Sequence, residues 1–278
     1  MSSFITVHDL HFAYPNYVTA LRGVNLKIDK GEFVAIMGEN GAGKTTLVKH
    51  FNGLLKPKSG YVKVDGLDTK DTTVAELSKR VGYVFQNPLY QLFSETVEKE
   101  IALGLSGMNL SESEKARRID EVLIELGVEK FRNRHPLMLS EGERRRVAIA
   151  SVLVMNPEVI VLDEPTLALD FLEKKRLSGV LTRLHKEGRA IILVTHDVEF
   201  AFDLSERIVT MSNGKILADG PKEKVINDKM LFSAAGLVEP QLFQLARNLQ
   251  AMGVNVSDFS VEGLSTKFIE YSGKVERK

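Results

Sequence analysis

Eight residues that begin with a glycine-rich turn carry the clearest chemical signal in the sequence. They read Gly-Glu-Asn-Gly-Ala-Gly-Lys-Thr and match the pattern G-x-x-x-x-G-K-[ST]. In this pattern backbone N–H groups surround a phosphate, the lysine neutralises phosphate charge, and the last hydroxyl ligates Mg²⁺. We therefore predict that a nucleotide phosphate is bound by Gly38, Asn40, Gly41, Ala42, Gly43, Lys44, Thr45 and Thr46.

Acidic and imidazole side chains follow two short apolar runs. Asp163 and Glu164 come directly after residues 159–162, and His196 follows residues 191–194 after one intervening position. The carboxyl ends of parallel strands meet at the sheet edge where α/β proteins bind ligands. We predict that Asp163 holds the hydrated metal, that Glu164 orients or deprotonates an attacking water, and that His196 stabilises charge.

The elements that position these side chains follow from apolar periodicity. Residues 34–37, 159–162 and 190–194 are apolar almost throughout, as in parallel strands covered on both faces. The helical pattern of residues 170–186 predicts the crossover between the last two strands. Residues 4–67 form short strand-like runs separated by turns and predict a β subdomain.

Further helices and one hairpin are predicted from capping and turn residues. Apolar residues recur at helical spacing between Ser111 and Gly127. A second helix begins at Ser140, which can form a capping box with Glu143. The pair Asn213-Gly214 predicts a two-residue hairpin. Near the C-terminus, one amphipathic helix is marked by Leu242, Leu245, Ala246, Leu249 and Met252.

Composition excludes several functional classes. The 278 residues include 37 basic and 37 acidic residues, so bulk charge indicates no nucleic-acid footprint. The absence of cysteine excludes disulfides, thiol catalysis and cysteine-ligated metals. The longest apolar stretch, residues 147–155, is far shorter than the roughly 20 residues that span a bilayer. The N-terminus has no secretory pattern, so we expect a cytosolic protein.

Taken in order, these motifs resemble the nucleotide-binding subunit of an ABC transporter. The resemblance covers residues 4–230 and is carried by Tyr14, Gly38 to Thr45, Gln86, the signature segment Leu-Ser-Glu-Gly-Glu at 139–143, Asp163-Glu164, Ala-Leu-Asp at 168–170, and His196. It implies an α/β P-loop NTPase fold with an antiparallel β subdomain and a helical signature subdomain. It also implies ATP hydrolysis with Mg²⁺ as cofactor.

The resemblance assigns further roles. Tyr14 would stack on adenine, and Gln86 would touch Mg²⁺ or the attacking water and relay nucleotide occupancy to a membrane partner. Two such subunits would enclose two ATP molecules, with Ser140 and Gly142 of one chain completing the site of the other and Asp170 at the dimer seam. Lys44, Gln86, Glu164 and His196 would form the catalytic set, and Thr45, Gln86 and Asp163 the metal set.

A finer resemblance follows Gln86. The segments Phe-Gln-Asn-Pro at 85–88, Gln-Leu-Phe at 91–93, Thr-Val at 96–97 and Ile-Ala-Leu-Gly at 101–104 look like the ATPases of energy-coupling factor (ECF) importers. This implies uptake of a metal ion or vitamin through separate integral membrane subunits, whose coupling helix would dock after Gln86. The second ATPase subunit would be an identical copy or a paralogue. The chain would lie peripherally on the cytoplasmic side of the cell membrane, with no nucleic-acid partner.

On this resemblance, we predict an ATP-binding domain over residues 1–230, with a helical insertion around residues 95–155. Residues 231–278 would form a short C-terminal appendage that faces the dimer. The signature segment departs from the usual Leu-Ser-Gly-Gly-Gln because Glu141 and Glu143 are acidic. We expect their carboxylates to repel a triphosphate unless the helix dipole and Arg144, Arg145 and Arg146 compensate.

Two other classes use a similar phosphate-binding motif. A soluble ABC ATPase acting on nucleic acid or the ribosome is the main alternative. Repair ATPases of that kind need a long coiled coil between the motifs, whereas Thr45 and Ser140 are only 95 positions apart, and ribosome-associated factors usually carry two cassettes. A phosphotransferase would leave Gln86 and the signature segment without a role.

Overall fold

Strands and helices alternate along the chain in the computed structural model, which describes residues 3–15, 18–226, 228–256 and 261–275. The predicted ATP-binding domain (residues 1–230) and appendage (residues 231–278) also include positions outside these ranges, and those positions lie outside the described residues. The strands are β1 (Ile5–Ala13), β2 (Thr19–Ile28), β3 (Phe33–Met37), β4 (Ser59–Val64), β5 (Leu67–Asp68), β6 (Val81–Val84), β7 (Val159–Asp163), β8 (Ala190–Val194), β9 (Arg207–Ser212) and β10 (Lys215–Pro221). The helices are α1 (Lys44–Val48), α2 (Val74–Leu77), α3 (Val97–Leu103), α4 (Glu112–Glu125), α5 (Glu141–Leu153), α6 (Phe171–Lys186), α7 (Val198–Leu204), α8 (Lys222–Ile226), α9 (Lys229–Ala234), α10 (Gln241–Ala251) and α11 (Val261–Val275).

A six-stranded sheet forms the centre of the fold in the order β10-β9-β3-β8-β7-β6. Its strands pair in parallel except β10, which is antiparallel to β9 across the predicted turn Asn213-Gly214. Val194 pairs with both Ile36 and Asp163. The carboxyl ends of β3, β8 and β7 therefore reach the same edge of the sheet, as their continuous apolar runs predicted.

A smaller antiparallel sheet, in the order β2-β1-β4-β5, covers one face of the central sheet. Alternate side chains of β3 divide between the two faces. Ile36 packs in the core shared with the antiparallel sheet, whereas Ala35 packs in the core beneath the helices. Burial on both faces explains why the strand is apolar throughout.

The segment between β6 and β7 contains helices α3, α4 and α5. Ser111 caps α4, and Ser140 forms the predicted capping box with Glu143 at the start of α5. The helix α6 begins after its N-cap Asp170 and connects the neighbouring parallel strands β7 and β8. Each predicted helix boundary in this region lies within two residues of the observed one.

The C-terminal appendage is more helical than the sequence predicted. The expected helix is α10, but Leu245 and Met252 are exposed, while Ala246 and Leu249 are buried. The appendage also contains α11 and the end of α9, which were not predicted from the sequence. Within the described ranges, none of the helices combines the length and apolarity that crossing a membrane requires.

Candidate functional site

The glycine-rich loop turns directly after β3 and lies against β9. A Cβ atom on Gly38 would stand 2.2 Å from the Met211 carbonyl oxygen, so no side chain fits there. Gly43 has φ of 102° and precedes α1, which is only five residues long. The phosphate-binding geometry therefore depends on the N–H groups of the turn more than on a long helix dipole.

Lys44 is buried beneath this loop. Its Nζ donates hydrogen bonds to the carbonyl oxygens of Gly38 at 2.7 Å and Glu39 at 2.9 Å. Burial lowers the pKa of Lys44, and the carboxylates of Glu164 and Asp163 oppose that shift. The ammonium is thus held across the loop by groups that a phosphate oxygen can replace.

The fold brings together Thr45 and Asp163, which are 118 positions apart in sequence. The Thr45 hydroxyl donates to Oδ1 of Asp163 at 3.0 Å, and the Tyr83 hydroxyl donates to Oδ2 at 3.0 Å. Burial raises the pKa of Asp163, although both hydroxyls favour its charged form. Burial and the nearby Asp163 also raise the pKa of Tyr83, which keeps its hydroxyl a donor.

Glu164 faces the end of β8, whereas Asp163 faces Thr45. Its Oε2 lies 2.9 Å from Nδ1 of His196 and accepts a hydrogen bond from the Thr195 hydroxyl at 3.2 Å. The carboxylate of Glu164 is buried, whereas His196 is half exposed. The two adjacent acids therefore point to different partners.

Tyr14 and Gln86 lie beside this cluster. The Tyr14 hydroxyl is 3.1 Å from Oγ1 of Thr46, and its ring meets Phe12 edge-on. Gln86 is exposed and lies two positions after the end of β6. Its carbonyl oxygen accepts a hydrogen bond from Arg145. Adenine stacking by Tyr14 and metal contact by Gln86 stay predictions.

The residues predicted for the second chain's site bond within their own helices. Ser140 accepts from the Glu143 N–H, and the Asp170 carboxylate accepts from the Glu173 N–H. Gly142 packs closely against the Ala168 carbonyl, which leaves little room for a Cβ atom. These contacts leave the phosphate-binding loop of the same chain untouched.

The three arginines after the signature segment bond to backbone carbonyls of their own chain. Arg144 donates to the carbonyls of residues 137 and 139, Arg145 to those of residues 86 and 164, and Arg146 to those of residues 126 and 127. Each guanidinium thus fastens α5 to another segment of its own chain. Carbonyl oxygens left free by loops attract such forked donors.

Two contributors to the site escaped the sequence analysis. Tyr83 lies inside an apolar strand, where a buried hydroxyl needs a partner, and this requirement was the available signal. The second is the turn after α9: the Glu39 N–H donates to the Ala235 carbonyl at 2.9 Å. No local pattern links residue 39 to residue 235, so this contact is visible only in the folded chain.

Comparison with known proteins agrees with this geometry. The family model for ABC transporter matches residues 21–167. The chain is 44% identical over 250 residues to the energy-coupling factor transporter ATP-binding protein EcfA2 of Clostridium tetani, covering 87% of each chain. The solved structure of cbiO1 from Clostridium perfringens, part of the ABC transporter complex cbiONQ, aligns with a TM-score of 0.73 and 35% identity, over 89% of this chain and all of that one. A dimeric bacterial ABC transporter cassette aligns with a TM-score of 0.72 and 34% identity, over 78% of this chain and 98% of that one.

The chain therefore belongs to the ABC transporter family, as a P-loop cassette that binds and hydrolyses ATP. Within that family, its long match to EcfA2 and cbiO1 makes it an energy-coupling ATP-binding subunit of the ECF type. The predicted family, fold class and ATPase activity are confirmed.

We expect Tyr83→Phe to raise the Mg²⁺ concentration that ATP hydrolysis requires. The variant removes one hydroxyl donor from a buried carboxylate, which favours its protonated form. Half-maximal ATPase activity should need about five- to tenfold more Mg²⁺, equivalent to ~1–1.4 kcal/mol, and the acidic limb of the pH profile should move to higher pH. Tyr61→Phe, which alters a strand residue beside His8, is the matched control. An unchanged Mg²⁺ titration would contradict this role of Tyr83.

Gly236→Val tests whether the appendage supports the phosphate-binding loop. Gly236 has φ of 63°, and an added Cβ would lie 2.7 Å from the Cβ of Glu39. We expect ATP affinity to fall about fivefold, or ~1 kcal/mol, in titrations with a fluorescent ATP analogue. Gly253→Val is the control, because its φ is 81° and its added Cβ meets nothing within 4 Å. Equal ATP affinity in the two variants would show that the appendage does not support the phosphate-binding loop.

Proposed function

We propose that this chain hydrolyses ATP with Mg²⁺ to drive uptake of a metal ion or vitamin through separate membrane subunits. The observation that carries the proposal is that the two adjacent acids at the end of β7 face different partners. Asp163 faces Thr45 of the phosphate-binding loop, whereas Glu164 faces His196. The similarity to cbiO1, itself part of a transporter complex, supports membrane partners and a peripheral position on the cytoplasmic side of the membrane.

Thr45 and Asp163 fit a Mg²⁺ ion. Their oxygens lie 3.0 Å apart, and Mg²⁺ in nucleotide sites is held by one or two protein oxygens together with phosphate oxygens and water. When bound, Mg²⁺ supplies neutralisation of phosphate charge. Gln86 would contribute its side-chain oxygen from the end of β6.

The remaining steps belong to side chains of the chain itself. Lys44 would exchange its bonds to the loop carbonyls for oxygens of the β- and γ-phosphates, and the N–H groups of residues 41–46 would bind the β-phosphate. Glu164 would orient or deprotonate the water that attacks the γ-phosphate in line. His196 would stabilise the charge that develops there, and Tyr14 would stack on adenine.

A second cassette would complete each site. Ser140 and Gly142 lie at the start of α5, and Asp170 lies at the start of α6. The capping bonds order the first turns of both helices, which would contact the nucleotide bound by the partner. The similarity to a dimeric ABC transporter cassette supports this assembly. The partner would be a second copy of this chain or a paralogue, with the appendage at the interface.

A surface beside Gln86 would receive the membrane subunit. It consists of Leu89, Tyr90 and Phe93, which are 51%, 77% and 76% exposed and which we call the docking surface. Leu92 and Val97, which belong to the segments after Gln86 that resemble ECF ATPases, are buried in the core and lie outside this surface. Apolar side chains exposed together in this way are typical of interaction sites.

Glu164→Gln should lower ATP hydrolysis by roughly 10²–10⁴-fold, because the amide keeps the size of the side chain but cannot accept the proton of water. ATP binding should survive, so that a dimer persists on gel filtration with ATP and Mg²⁺. Glu158→Gln, just before the opposite end of the same strand, is the control and should retain full turnover. Normal turnover in Glu164→Gln would remove this residue from the proposed role.

Replacing Tyr90 and Phe93 by lysine should uncouple transport from hydrolysis. Two charges on the docking surface should weaken co-purification with membrane subunits and abolish uptake in vesicles, while the basal ATPase of the separate chain stays within about twofold of normal. Leu217→Lys is the control, since Leu217 is 43% exposed on β10 at the opposite edge of the sheet. Normal uptake and co-purification by the double variant would reject the docking surface.

A further inference from the structure

Arg145 is a charged residue at the centre of the site that the predicted chemistry leaves unused. It lies on α5 and is only 1% exposed. One nitrogen, Nη1, donates to the carbonyl oxygens of Gln86 at 2.9 Å and Glu164 at 3.1 Å. Its other terminal nitrogen, Nη2, lies 3.6 Å from Oε1 of Glu141, one helical turn earlier. A buried arginine is rare unless such partners hold it.

The backbone that Arg145 holds is strained at Glu164. This residue has φ of 51°, in the left-handed region that non-glycine residues avoid. Its N–H donates to the Val194 carbonyl at 2.8 Å, so the strand β8 fixes one side of the residue. Arg145 fixes the other side through the carbonyl. Together these bonds determine where the Glu164 carboxylate stands.

Both accepting carbonyls belong to segments that end at the nucleotide edge. Gln86 follows the edge strand β6, and Glu164 follows its neighbour β7. One guanidinium nitrogen therefore ties two adjacent strand ends to a single helix. Because one N–H group goes to each carbonyl, a shift of the helix changes both bonds at once.

We propose that Arg145 is a positioning residue that makes the placement of Glu164 depend on the signature helix α5 of the same chain. The inference rests on the proposed role of Glu164 in activating water. Glu141 stands on the first turn of α5, and Arg145 follows one turn later. A displacement of that turn moves Arg145 relative to both carbonyls, so that Glu164 is placed for reaction only in one position of the helix.

If Arg145 had only a structural role, its replacement would have different consequences. The replacement would lower the stability of the fold, and ATPase activity would fall only as folded protein is lost. A positioning residue changes kcat while the Michaelis constant for ATP stays the same, since Arg145 touches none of the predicted phosphate ligands. Misplacement of a reacting group by about 1 Å can reduce rate about 10²-fold.

The test compares Arg145→Met, Arg145→Lys and Arg189→Met in the complete chain. Arg189 also donates to two backbone carbonyls, those of Asn156 and Pro157, and supplies the matched control. We expect kcat to fall roughly 10- to 100-fold in Arg145→Met, with KM for ATP within about twofold of normal. Arg145→Lys should lie several-fold below the native rate, because lysine lacks the forked geometry. Thermal unfolding checks that each variant is folded.

A kcat in folded Arg145→Met equal to that of Arg189→Met would overturn the inference. If the methionine variant does not fold, Arg145→Lys decides, and a native kcat in that variant overturns it equally. In the Glu164→Gln background, Arg145→Met should lower the residual rate by less than about twofold, because its effect passes through Glu164. A further fall as large as in the native background would show an independent role.

The Glu164→Gln measurement also separates this inference from the proposed function. A native rate in Glu164→Gln would overturn both, since Arg145 would then have no catalytic carboxylate to position. A large loss in Glu164→Gln together with a native rate in Arg145→Met would overturn the inference alone.

Discussion

The parallel pairing of β3, β8 and β7 is the constraint on which the rest of the site depends. Val194 pairs with Ile36 on one side and with Asp163 on the other. This register places the glycine-rich loop, the acidic pair and the residues after β8 at one height on one sheet edge. A shift of one residue in a pairing would turn the side chains toward the opposite face. Residues more than 100 positions apart in sequence can therefore form one cluster.

Buried charges of both signs meet in this cluster, and each of them is held by hydrogen bonds. Lys44 and Arg145 are the buried cations, and Asp163 and Glu164 are the buried anions. Isolated charges at such depth would be strongly unfavourable, whereas paired and hydrogen-bonded charges are tolerated. Burial nevertheless lowers the pKa of Lys44 and raises that of Asp163, which leaves both groups responsive to a charged ligand.

Two parts of the chain outside the central sheet reach this cluster. The signature helix α5 contacts it through Arg145, and the turn after α9 contacts it through the hydrogen bond between Glu39 and Ala235. The nucleotide site is thus connected mechanically to the helix that would complete a second cassette and to the appendage. In a coupling ATPase such connections can transmit nucleotide occupancy to other subunits.

The sequence by itself determined the family, the order of the site motifs along the chain and most of the positions at which helices begin. Glycine, proline and capping residues act within a few positions, so the loop around Lys44 and the capping box at Ser140 could be predicted from local spacing. It could not assign Arg144 to Arg146, because a guanidinium on a helix takes whichever carbonyls the tertiary fold brings near. Nor could it distinguish the buried Leu92 from its neighbour Phe93, which is exposed on the docking surface. The contacts of Tyr83 with Asp163 and of Glu39 with Ala235 join distant positions, and only packing of the sheets and helices decides such pairs.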